Sequence, residues 1–309
     1  MEFKLLRRVL EAEGEIDLTE AEFQAIRAAR DVVSAGLVAE QKFDLVVENF
    51  REFEQELLSL SLEHSFSTYR RWESFAHDRQ RVNRRLGNLT FAAKLLLDQM
   101  KTDAVALFGR DSPEQGRLLS AMDQQKTKLP HRTLLALRDQ IRHQSFPEFG
   151  MAYQSGWEEY KGTKRLHFWF DIRLAVRALE EGRRPGDKER AELCELLRQS
   201  GEEIDLLDFA RKHIESVAVV FEVLRELLGG RLGDGEALIG ATLERARQEL
   251  GEKLLGLAAV RIENRRVTEE VPVFDEPMKY RRALNAKNRA LESISKRSVS
   301  GVSRTLQPK

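Results

Sequence analysis

The chain has 309 residues, 41% hydrophobic and 33% charged, enough apolar material for a sizeable core beneath a highly charged surface. Its 51 basic and 51 acidic residues cancel, so no global field draws it to nucleic acid or to a membrane, and any such attraction has to be local. A single cysteine, Cys194, excludes an internal disulfide, and no run approaches the roughly 18 apolar residues of a membrane span, so a cytoplasmic protein without membrane contact is expected.

The first proline is Pro113, so a long N-terminal stretch passes without the residue that most reliably stops a helix. Over 19–62 the apolar positions Phe23, Ile26, Ala29, Val33 and Leu37, then Phe43, Val46, Phe50, Phe53, Leu57 and Leu60, recur at spacings of three and four. That periodicity predicts an amphipathic helix, and Thr19 followed by Glu22 reads as its capping box. Segments 66–108, 112–125, 131–143, 164–181, 187–199, 203–228 and 235–262 repeat the pattern. Breaks are expected at Gly109, Pro130, Pro147 to Gly150, Gly182 to Gly186 and Gly229 to Gly235. No alternating run of strand length stands out before the short β-prone stretch Val267 to Val273, so the body is expected to be all-α. Cys194 sits on a helix face and reads as a small buried hydrophobe.

From Lys279 onward nine basic residues face Glu292 alone. This tail reads either as a solvated, partly disordered end or as an electrostatic arm for nucleic-acid phosphates. A second basic run, Arg70, Arg71, Arg79, Arg81, Arg84 and Arg85, precedes the motif helix. It is either a solvated face paired with acids such as Glu73 and Asp78 or a wall that tracks RNA. His64 and His77 read as surface or core histidines, and His167 to Phe170 as core aromatics.

The densest chemistry lies in Arg138-Asp139-Gln140-Ile141-Arg142-His143, which closes the apolar run Leu134 to Leu137 and is followed by Gln144-Ser145-Phe146-Pro147. Imidazole moves protons near neutral pH, and guanidinium grips two phosphate oxygens at once, so the pair suits work on a phosphodiester. Five positions separate Arg138 from His143, about 140° on an unbroken helix. Convergence therefore requires the helix to end or tighten near His143, where Pro147 biases the residue before it out of the α region. The bland alternative is a charged helix end in which His143 complements the dipole.

Arg138-x4-His143 matches the R-x4-H motif of the HEPN superfamily, helical domains that include many ribonucleases. The run Leu137 to Pro147 resembles the L-R-N-x-x-x-H-x-x-x-P segment of one bacterial HEPN group. Val82 to Leu89 with Leu97-Asp98-Gln99 is similar to its preceding long helix, and Ile204 to Phe209 with His213 to Ser216 to its final core helix, so the likeness spans 40–230. It implies an all-α, HEPN-type bundle of long antiparallel helices (39–262) with an N-terminal helical extension (1–38) and a C-terminal basic tail (263–309). It also implies a metal-independent RNA endonuclease with no cofactor, working as a homodimer whose interface lies near 131–147, with a toxin or antiphage role and an antitoxin or defence-system protein as partner. His143 would act on the 2′-OH or the leaving oxygen, and Arg138 would stabilise the phosphorane. Arg142, Gln144, Arg84 and Arg85 are the expected RNA contacts. Asp139 stands where the group often has Asn; it repels phosphate but could orient the histidine. The alternative is a catalytically silent HEPN-like scaffold that binds nucleotide or RNA.

Overall fold

The computed structural model describes residues 1–9, 12–66, 72–144, 146, 148–160, 162–182, 186–289, 291–297 and 299. Three long helices, α1 (Glu20–Phe66), α2 (Trp72–Phe108) and α7 (Leu206–Leu250), dominate, with the shorter α3 (Pro113–Lys126), α4 (Leu129–His143), α5 (Val176–Glu181), α6 (Lys188–Arg198) and α8 (Glu276–Asn288) between and after them. The all-α expectation is overturned. The structure is 68% helix and 18% strand, with seven strands in two antiparallel sheets among the described residues. It is therefore a mixed α/β protein and not the purely helical bundle that the HEPN resemblance implies.

The chain forms two compact units, with α1, α2 and α7 each contributing residues to both. The first comprises Met1–Asp44, Ala104–Glu114 and Glu222–Arg289. Its sheet runs in the order β2-β1-β6-β7, from β1 (Glu2–Val9), β2 (Ala12–Leu18), β6 (Leu257–Glu263) and β7 (Arg266–Pro272). Residues 2–9 and 12–18 are thus paired antiparallel strands and not part of a helical extension. Phe3, Leu5 and Ile16 alternate inward and meet Phe23, Ile26 and Val33 of α1 and Ile239, Leu243 and Ala246 of α7 in one buried cluster. The hairpin between β6 and β7 turns through Asn264 and Arg265 at φ 50° and 62°. Positive φ at both central residues belongs to the primed turns that match strand twist, and asparagine tolerates it well.

Thr19 caps α1 as its sequence predicts. The Thr19 N–H donates to Glu22 Oε2 at 2.7 Å, and the Glu22 N–H donates to Thr19 Oγ1 at 3.2 Å. Thr19→Ala is expected to lower stability by about 0.5–2 kcal/mol, read as a shift in denaturation midpoint at constant slope. The expected break at Gly229 to Gly235 does not occur, because α7 runs through it. At Gly235 an added Cβ would lie 3.3 Å from the Ala29 carbonyl oxygen, so the glycine lets α1 and α7 approach backbone to backbone.

The basic tail is also corrected over 276–288. That stretch is helix α8, and its cations are engaged: Arg281 and Arg282 with Glu236, Lys287 with Asp44, Lys279 with Asp275. An ion-paired helix offers little field to RNA. Arg304 and Lys309 lie outside the described residues.

The second unit comprises Leu45–Asp103 and Gln115–Phe221, with 291–297. Its sheet, β3-β4-β5, is built from β3 (Gly150–Tyr160), β4 (Thr163–Ala175) and β5 (Glu203–Asp205). Most of the segment expected to be helical over 164–181 is strand β4, and only Val176 onward turns helical. One face of the β3–β4 pair stacks Met151 on Ile172, Tyr153 on Phe170 and Ser155 on Phe168. His64 packs against Tyr153 and Phe168 at ring distances of 4.8 and 5.3 Å, so it is a core histidine. His167 and Trp169 occupy the opposite face, stacked at 5.6 Å, so they are not core aromatics. Cys194 is buried, as expected.

Candidate functional site

Helix α4 positions the motif. Pro130 lies in its first turn, where a missing N–H costs nothing, and Leu134 and Leu137 bury its apolar side. The helix continues to His143, and the Gln144 N–H closes it on the Gln140 carbonyl at 2.9 Å. The helix does not tighten before His143, so Arg138 and His143 leave it on different sides. Ser145 and Pro147, expected to break it, lie outside the described residues.

Arg138 turns toward α2. Its guanidinium stands 5.5 Å from the centre of the Phe91 ring, and Nη1 donates to Asp139 Oδ1 at 2.5 Å. The side chain is 14% exposed, and its Nε is buried without a hydrogen-bond partner. Asp139, Gln144 and His143 line a cleft of about 820 Å³ with Lys94, Lys126 and Arg132. Asp139 and His143, one turn apart, share a face. The carboxylate holds Arg138 and lines the same cleft as His143, which is exposed at the helix end.

Two ties hold this helix in place. The Gln140 amide donates to the Ala178 carbonyl at 3.1 Å, fixing α4 on α5. Arg190, buried on α6, donates to the carbonyls of Gly182 at 2.6 Å and Ala136 at 2.5 Å. The cleft cations are largely compensated. Lys126 pairs with Asp123 at 2.6 Å, Arg132 with Glu192 at 3.1 Å, and Lys94 with Asp98. Among the described residues Arg142 makes no ion pair and is exposed at the end of α4.

The basic run on α2 divides. Arg85 is half-buried and pairs with Glu52 and with Glu56 at 3.4 Å, so its expected RNA contact gives way to a structural one. Arg81 bonds Glu56 at 2.6 Å and Glu63 at 2.8 Å, and these carboxylates raise its pKa. Arg79 lies over the Phe75 ring at 5.6 Å. Arg84 is exposed with no carboxylate partner among the described residues and lines a separate groove with Phe91 and Phe146. Arg70 and Arg71 lie outside the described residues, and His77 is exposed.

Two features carried no sequence signal as sites. One is that groove. The other is a buried pair, His131 of α4 and His213 of α7, with rings 4.8 Å apart. His213 has neither ring nitrogen hydrogen-bonded, and His131 Nδ1 is also unpaired. Burial, then Lys126 and Lys128, push the His131 pKa down to about 4. Burial, then His131, holds His213 well below the usual imidazole range. Among the described residues no three His, Cys, Asp or Glu side chains gather as metal ligands would, and no helix is long and apolar enough to cross a membrane. No protein-family model, curated protein or solved structure matches the chain.

Proposed function

We propose that this chain is a metal-independent RNA endonuclease that uses Arg138 and His143 from two copies of itself. The observation that carries the reading is the arrangement of Arg138, Asp139 and His143 toward the end of α4. Asp139 binds the Arg138 guanidinium and lines the same cleft as the exposed His143. The reading rests on this local chemistry and on the R-x4-H spacing, not on the fold, whose strands depart from the family pattern.

In the proposed reaction one His143 takes the proton of a ribose 2′-OH, and that oxygen attacks the adjacent phosphorus. The P–O5′ bond breaks, and the leaving oxygen takes a proton from the second copy's histidine. The products are a 2′,3′-cyclic phosphate and a 5′-hydroxyl. Arg138 stabilises the charge on the phosphorane through its planar donors. A cytoplasmic toxin or antiphage effector, restrained by an antitoxin or defence-system protein, is the cellular role this chemistry suits.

A second reading has its own observation: Arg138 is already occupied by Asp139 and Phe91, as in a silent scaffold that binds RNA. One experiment separates the two. Purified protein is incubated with structured and single-stranded RNA in chelator, and product ends are mapped. Cyclic phosphate ends, with a dimer by light scattering at micromolar concentration, support the nuclease. Intact RNA from a clean preparation, or a strict monomer, refutes it.

A further inference from the structure

Six positions on α2 recur at helical spacing along one stripe: Gln80, Asn83, Arg84, Gly87, Asn88 and Phe91. Together with Phe146, which follows α4, they line a groove of about 330 Å³. Its chemistry is unusual for a helix surface. Three carboxamides stand beside a single cation and two phenylalanines, with no carboxylate in the lining. Phe91 and Phe146 keep 38% and 39% of their surface exposed, large apolar faces that water leaves uncovered at a cost. Gly87 admits the second ring: an added Cβ would come within 3.3 Å of Phe146 Cε1 and Cζ. Asn83 Oδ1 is shut off from solvent and accepts no hydrogen bond, an orphan acceptor at the groove wall.

We infer that this groove is a nucleobase subsite that holds one unpaired adenine of a single-stranded RNA. The inference rests on the reading of the chain as an RNA-acting protein and adds which base it grips and where. Phenylalanine faces stack bases that have been splayed out of a single strand. A carboxamide offers one acceptor beside one donor, matching the adenine amine and N7 in two bonds. The broad χ2 well of asparagine lets Asn83 present its oxygen to that amine. Arg84, without a carboxylate partner among the described residues, is placed for the backbone phosphate. Phe91 joins the groove to the proposed chemistry, since the Arg138 guanidinium stands 5.5 Å from the same ring. A base seated there brings its own phosphodiester toward Arg138.

The test measures binding apart from cleavage. Full-length His143→Ala protein is titrated into fluorescently labelled A6 and U6 single-stranded RNA at fixed ionic strength, followed by anisotropy. A6 is expected to bind at least tenfold tighter than U6. Asn83→Ala and Phe146→Ala, each added to His143→Ala and checked for unchanged circular dichroism, are expected to weaken A6 binding about tenfold or more. Equal binding of A6 and U6, A6 affinity untouched by both substitutions, or no binding of either RNA overturns the subsite. The nuclease reading is judged separately on the unsubstituted protein. Intact RNA there, with A6 binding still lost in the Asn83 and Phe146 variants, removes the nuclease and leaves the subsite. Normal cleavage with A6 binding indifferent to both substitutions does the reverse.

Discussion

His143→Ala is expected to slow RNA cleavage about 10²–10⁴-fold while leaving the melting temperature close to the parent's. The imidazole is exposed at the last position of α4, so its removal opens no cavity. Lost dipole complementarity at the helix end costs a fraction of a kcal/mol. Arg138→Ala is expected to lose as much rate by a different route. Charge accumulates on the phosphorane oxygens in the transition state, and the guanidinium is the strongest donor beside the cleft-lining Asp139. Arg138→Lys should rescue poorly, because an ammonium cannot supply two parallel donors. Single-turnover rates on one labelled RNA, with melting curves for each variant, check the set. Parent-like rates in His143→Ala, or melting temperatures that fall in step with activity, would mean that these side chains hold the helix end and do no chemistry.

The long helices were legible because their signal is local. The stripe from Phe23 to Leu60 needs only the helical period to be seen, and Thr19 with Glu22 only a spacing of three. The β-prone stretch Val267 to Val273 is strand β7 up to Pro272, but β3 and β4 were hidden, for two different reasons. In β4 the inward positions Phe168, Phe170 and Ile172 alternate properly, yet His167 and Trp169 fill the opposite face with aromatic rings, so the alternation reads as a continuous apolar run. Strand β3 contains two glycines and no β-branched residue, and it is held by its pairing with β4 and not by propensity. The glycine-rich stretch in α7 misled because Gly235 answers to Ala29, roughly two hundred positions away, and not to its own backbone.

The site divides along the same line. The sequence suggested that Asp139 could orient His143, and the two residues line one cleft in the structure. Spacing could not say that Arg138 would turn to Phe91, that Arg85 would be consumed by Glu52 and Glu56, or that Arg281 and Arg282 would meet Glu236. Each of those outcomes depends on a partner distant in sequence. A basic run therefore reads as an RNA surface until its carboxylates are located; among the described residues, Arg84 of the α2 run and Arg142 of α4 have no carboxylate partner.

Acidification is expected to destabilise the second unit through His131 and His213. Both rings are buried, neither nitrogen of His213 finds a partner, and the charges nearest His131 are the cations Lys126 and Lys128. All of these oppose a second proton on imidazole, so the folded pKa of His131 falls to about 4 and that of His213 also lies well below its ordinary value. In the unfolded chain each histidine titrates near the ordinary value of about 6.5. Between that value and the folded one the unfolded state binds more protons, so stability rises with pH. The contribution is fully present above about pH 7 and is lost progressively as pH falls through 6 toward 4. For His131, with its folded pKa near 4, it amounts to roughly 2 kcal/mol by pH 5, and His213 shifts stability in the same direction. Urea denaturation of the intact chain from pH 7.5 to 5 measures this. Carboxylates also titrate toward the acid end, so the comparison that isolates the pair is His131→Phe with His213→Leu against the parent. Removing both imidazoles should flatten the profile by at least the roughly 2 kcal/mol that His131 contributes across that range, whatever the variant's stability at neutral pH. Profiles that run parallel would show that the folded pair takes up protons as readily as the unfolded chain, and that acid sensitivity lies in the ion pairs around Arg81 instead.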